Sequence, residues 1–244
     1  MSEHLLVTIG RERFNSSERH LVHLVNDKAQ NDFLNDIENT PQAYVLACLM
    51  DRQIRAEQAW SIPYRIKSIV GGFRIDELGR VSLDEYKDIF KSNTLHRFND
   101  TMAGVFYSAI QDIKNKYDGD VRHIWRNNPS SAKVVYEFLQ FKGSGIKIAT
   151  MAANILARQF KVPFSDYYSI DISPDIHVLR VMRRTGLVNL EADFNSVIYK
   201  ARELNPEFPG IIDFSCWEIG RTWCKPNHPN CIECIIHTDC KMVL

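Results

Sequence analysis

The sequence has no run of about eighteen apolar residues, so no membrane-spanning helix is expected. Its start, Met1 to Arg13, lacks a basic region followed by an apolar stretch, and no secretory signal peptide is expected there. The expectation is an intracellular protein: cytoplasmic or nucleoid, or nuclear in a eukaryote. Net charge is missing too, because 30 Lys and Arg balance 30 Asp and Glu. No global positive field therefore points to a nucleic-acid partner. No internal repeat and no low-complexity linker is present. Strand signals are scarce; Leu6-Val7-Thr8-Ile9 reads as a strand candidate, but a lone strand has nothing to pair with.

What is present is helical patterning, over a length that suits one large domain or two small ones. Thr40-Pro41 reads as a helix start, with Thr40 at the N-cap and Pro41 at the first helical position. It opens the apolar run from Tyr44 to Met50. Amphipathic helices are expected over residues 82–91 and 100–117, then over 129–139, 146–160, 174–185, 194–204 and 213–223. The fold class is all-α. Charge is unevenly spread along it: residues 114–161 carry nine Lys and Arg against three acids. That surplus makes either a phosphate-facing surface or a solvated helical face.

Four of the six cysteines crowd the end of the chain, as Cys224, Cys231, Cys234 and Cys240 with gaps of six, two and five residues. In a reducing compartment such crowding argues for metal rather than disulfides. Thiolates suit zinc or an iron–sulfur cluster; the wide outer gaps favour a wrap around the larger group over paired zinc knuckles. Cys48 and Cys216 sit in apolar surroundings and read as core.

Upstream, Lys142-Gly143-Ser144-Gly145 joins two helices. Glycine permits a tight turn and close approach of a phosphate, and the following helix start offers free amides and a positive dipole end. Gly-x-Gly between helices is also an ordinary turn. Further on, Asp175 opens a helix, where aspartate is favoured as a cap.

Together these motifs resemble the endonuclease III-type DNA glycosylases with a helix–hairpin–helix and a C-terminal 4Fe–4S loop, over roughly Asn39 to Cys240. The resemblance implies a six-helix barrel over residues 38–161 and an iron–sulfur domain from 1–37 with 162–244. It implies double-stranded DNA carrying a damaged or abasic nucleotide as the partner of a monomeric protein. Lys147 falls where bifunctional members carry their nucleophilic lysine, with a part-buried cleft and a helix start disfavouring the ammonium form; a surface lysine meeting phosphate is the alternative. Asp175-Ile176-His177 corresponds to the family's Asp-Thr-His, placing Asp175 as the assisting carboxylate facing Lys147 across a cleft. Asp171 is the fallback, because the spacing from Lys147 is longer than usual. His177 reads as structural.

Lys142, Gly143 and Gly145 would meet phosphate, as would Lys225 in the cysteine loop, with His228 as a second candidate there. The family usually has proline where Lys142 stands and an aliphatic residue where Ser144 stands. Gln53 corresponds to an intercalating glutamine, and Leu95, His96 and Arg97 to a second wedge loop. Cys48 occupies the position of a glutamate found in adenine-removing relatives. The implied activity is a bifunctional glycosylase and abasic-site lyase, with oxidised pyrimidine the default base. The alternatives are an inactive or monofunctional relative that binds unusual or mismatched DNA, and an iron–sulfur electron carrier.

Overall fold

Pro41 starts a helix in which every residue to Met50 is buried, the consequence of an apolar run with no polar face. The computed structural model describes residues 3–16 and 25–243; the remainder, including residues 17–24 of the expected 1–37 segment, lies outside the described residues. Twelve α-helices follow one another among the described residues: α1 Leu5–Asn15, α2 Lys28–Asn35, α3 Pro41–Met50, α4 Ala56–Val70, α5 Ile75–Leu78, α6 Leu83–Ser92, α7 Asn99–Lys116, α8 Ser131–Leu139, α9 Ile146–Arg158, α10 Ile176–Arg184, α11 Phe194–Leu204 and α12 Asp213–Thr222. The all-α class expected from the pattern is observed. No helix is long and apolar enough to cross a membrane among the described residues.

The strand candidate Leu6–Ile9 is instead the first half of α1. His4 caps that helix by accepting from the Leu6 amide, and burial of Leu6 and Val7 outweighs the β-branched composition. Thr40 stands at the N-cap of α3, but its hydroxyl turns back to donate to the Phe33 and Asp36 carbonyls, each at 3.0 Å.

The chain divides into two compact units. One comprises residues 20–129 and 136–152, and is called here the hairpin unit. Its core surrounds α3: Tyr44 packs edge-on to Trp125 and tilted against Trp60, and its hydroxyl donates to the Ala152 carbonyl at 2.7 Å. Alongside, α6 and α7 interlock through Tyr86, Phe90 and Phe106.

The other comprises residues 1–19, 130–135 and 153–244, and is called the cysteine unit. Here α10 packs on α12 at close range: a Cβ on Gly220 would come within 2.7 Å of His177 Cβ, so only glycine fits there. The α1 helix lies on α12 and on the turn Pro209–Ile212, held by Arg13 to Ser215 at 3.3 Å and to Glu218 at 2.7 Å. Lys161 caps its far end by donating to the Arg13 and Phe14 carbonyls.

The long approach to Asp175 is tied down at several points. Asp166 accepts from the Ser131 amide and hydroxyl, Ser169 donates to that hydroxyl oxygen, and Ser173 donates to Asp213.

Candidate nucleic-acid and cysteine sites

In the hairpin unit, Phe141 anchors the turn between α8 and α9. It is buried and stacks on Tyr117 at 5.9 Å, while the Tyr117 hydroxyl donates to Glu137 at 2.8 Å. Burial first, and then the hydrogen bond to Glu137 and its charge, push the Tyr117 phenol well above its ordinary value. Gly143 adopts φ +82°, and a Cβ there would meet Val105 at 2.9 Å. Gly145 has an ordinary backbone angle with nothing within 4 Å of its Cβ position, so its backbone is open to a close partner. The first helical bond of α9 runs from the Ala149 amide to the Gly145 carbonyl. The amides of Ile146, Lys147 and Ile148 therefore lack an acceptor within the helix.

Lys142 and Lys147 are both exposed. The part-buried setting expected for Lys147 is not what the structure shows: its side chain stands in the open on the first turn of α9. The Ser144 hydroxyl, standing where an aliphatic residue is usual, is buried with no partner among the described residues.

The loop between α3 and α4 carries Gln53, exposed and in the left-handed region at φ +54°. The loop before α7 divides its three candidates: Leu95 and His96 are buried, and Arg97 alone is exposed. Gln58 donates to the Leu95 carbonyl, and the Phe98 amide donates to His96 Nδ1. The buried pair thus shapes the loop, while Arg97, stacked over Phe98 at 5.2 Å, is what it presents. Burial holds His96 below its ordinary value. Sequence reasoning missed Arg52, whose guanidinium would lie 3.2 Å from a Cβ on Gly143. Its place beside Gln53 was readable; its approach to a turn far along the chain was not.

In the cysteine unit, Asp175 is the N-cap of α10. Its Oδ1 accepts from the amides of His177 and Val178, both at 2.8 Å, and Oδ2 takes no hydrogen bond among the described residues. Asp171 is disposed differently: buried, with both oxygens held at 2.7 Å by Arg202. His177 Nδ1 lies 2.9 Å from an Arg180 nitrogen; a guanidinium only donates, so Nδ1 is the acceptor.

Cys224, Cys231, Cys234 and Cys240 line one pocket, walled by Val181, Thr185, Ile219, Trp223 and Ile236. No group of three or more His, Cys, Asp or Glu among the described residues converges tightly enough for a single metal ion. Burial and then neighbouring cysteines raise the Cys234 and Cys240 thiols. Two arginines of α10 reach this segment, and neither was read from sequence as a contact to the cysteine loop. Arg180 donates to the Cys224 and Gly220 carbonyls, and Arg184 to the Lys225 and Pro226 carbonyls. Lys225 and His228 are exposed on the loop so held, His228 with φ +55°.

No protein-family model matches the chain. It is 27% identical over 165 residues to Endonuclease III of Thermotoga maritima, covering 68% of this chain and 67% of that protein. Among solved structures it resembles a trapped Endonuclease III–DNA covalent intermediate (18% identity, TM-score 0.64, covering 98% of this chain and 93% of that one). These likenesses support a resemblance to the endonuclease III type. A thermostable thymine-DNA glycosylase shares the fold at 14% identity, with a TM-score of 0.63 over 98% of this chain and 94% of the other.

Proposed function

We propose that this chain is a DNA glycosylase of base excision repair that also carries abasic-site lyase activity. The observation that carries the reading is an exposed lysine on the first helical turn after a two-glycine hairpin, with three amides there free for phosphate.

The hairpin amides and Lys142 grip the backbone of a damaged duplex, and the target nucleotide is extruded from the stack. Lys147 Nζ attacks C1′ as the glycosidic bond breaks and the base leaves. Asp175, through the oxygen its cap leaves over, stabilises the developing positive charge on the sugar and takes a proton from the incoming amine. Opening of the sugar ring gives a Schiff base between Nζ and C1′; loss of a C2′ proton then expels the 3′ phosphate. Oxidised pyrimidine is the proposed base. Gln53 and Arg97 are exposed on their loops and are proposed to fill the space the base leaves.

Cys224, Cys231, Cys234 and Cys240 would hold a 4Fe–4S cluster. Zinc draws four sulfurs to about 2.3 Å from one point, whereas these four surround a pocket, which suits a larger group. When bound, the cluster supplies structural bracing, because base excision is not a redox reaction.

The test is borohydride trapping on a duplex with an abasic site, comparing the wild-type protein with Lys147→Ala. A covalent adduct that the variant abolishes supports the mechanism. No adduct from wild-type protein overturns it. The absence of a buried setting for the exposed Lys147 favours, as the second reading, a relative that binds damaged DNA without lyase chemistry.

A further inference from the structure

The last turn of α10 places one residue against both ends of the cysteine segment. Arg184 Nη1 donates to Cys224 Sγ at 3.6 Å and to the Lys225 carbonyl at 2.6 Å, and Nη2 donates to the Pro226 carbonyl at 2.9 Å. The backbone of the same residue reaches the other end: its carbonyl accepts from the Val243 amide at 3.0 Å and from Cys240 Sγ at 3.6 Å. The next residue, Thr185, is buried and bonded back into α10 through its hydroxyl, so this end of the helix is firmly held. Neighbouring Arg183 takes a different course, with both its donors on the Ala192 carbonyl, away from the cysteines.

We propose that Arg184 is a positioning residue for the cysteine pocket: its side chain presets the first ligand, Cys224, and its loop for cluster assembly and sets the potential of the bound cluster. The inference rests on the iron–sulfur reading above. Three donors in a fixed planar fork span a sulfur and two carbonyls, which a lysine cannot reproduce. A fixed positive charge beside a thiolate ligand stabilises the electron-richer cluster, and hydrogen bonds to sulfur are among the levers that set such potentials.

The test uses the full-length protein, reconstituted anaerobically with ferrous iron and sulfide. Wild type is compared with Arg184→Ala, Arg184→Lys and, as control, Arg183→Ala. Iron and sulfide per chain, the rate of cluster loss in air and the reduction potential are measured. Arg184→Ala is expected to lose cluster on the order of 10-fold faster and to show a lower potential. Arg184→Lys, which keeps the charge without the fork, is expected to recover the potential but not the retention. Arg183→Ala should match wild type.

The inference is overturned if Arg184→Ala matches wild type in retention and potential, or if Arg183→Ala reproduces its defects. If Arg184→Ala does not fold, Arg184→Lys decides: wild-type retention overturns the proposal, and faster loss at an unchanged potential supports it. A wild-type protein that takes up no iron overturns the cofactor reading itself, which is a separate outcome.

Discussion

One carboxylate oxygen of Asp175 is committed to two amide hydrogens, and the other has no partner among the described residues. The capping and catalytic roles can therefore be separated. Asp175→Asn preserves a good N-cap and should melt within about 0.5 kcal/mol of wild type, while Asp175→Ala should lose about 1 kcal/mol. Both should lose base excision by the proposed mechanism; thermal melts beside single-turnover kinetics show whether stability and activity part company.

His96 makes a second residue-level prediction. Burial depresses its pKa, so as pH falls below about 6.5 the unfolded chain takes the proton before the folded one. This contribution is intact above that pH and is lost as pH drops toward the lowered folded value. Replacing His96 with Gln should flatten the decline in melting temperature between pH 7.5 and 5.5. An unchanged decline would assign it to other groups, among them His4, which burial also holds low.

At the scale of elements, the hairpin holds two glycines with unlike demands. Gly143→Ala places a side chain at φ +82° and against Val105, and should destabilise by at least about 1–2 kcal/mol. Gly145→Ala meets nothing and should cost under about 1 kcal/mol of folding, yet weaken binding to a duplex containing an abasic analogue. Ser144→Ala removes a buried hydroxyl that has no partner among the described residues, and is expected to stabilise by about 1 kcal/mol or more in denaturant titrations.

The helices from α6 onward were legible because each combines an apolar stripe with a cap or breaker, as at Ser82 and Asp193, both of which cap as side-chain acceptors. The start of α1 was not legible, since its β-branched residues become helical only by packing on a turn some two hundred positions later. Among the candidate site residues, spacing pointed to the cysteines and the glycine turn, and the family resemblance to Lys147. Exposure is a tertiary property, so the burial of Leu95 and His96 and the openness of Lys147 could not be read beforehand.

For the whole molecule, zero net charge means that attraction to DNA must come from local cations rather than from the protein's overall field. Exposed Arg52, Arg97, Lys142, Lys147 and Lys225 are the candidates at the proposed surface. If all five meet phosphates, affinity should fall with salt at a log–log slope no steeper than about −4.5; anisotropy titrations across salt concentrations measure it.

The placement of α1 also bears on how the protein is made. Arg13 is bonded to a residue 202 positions away. At roughly 5–20 residues per second of synthesis, α1 waits about 10–40 s for α12 to leave the ribosome. The hairpin unit, by contrast, is fully synthesised once residue 152 has emerged. For that interval α1, with Leu6 and Val7 on its buried side, lacks its packing on α12. A helix made some two hundred residues before its partner is thus among the last to be secured, and its apolar face is a place for a chaperone to bind in the meantime.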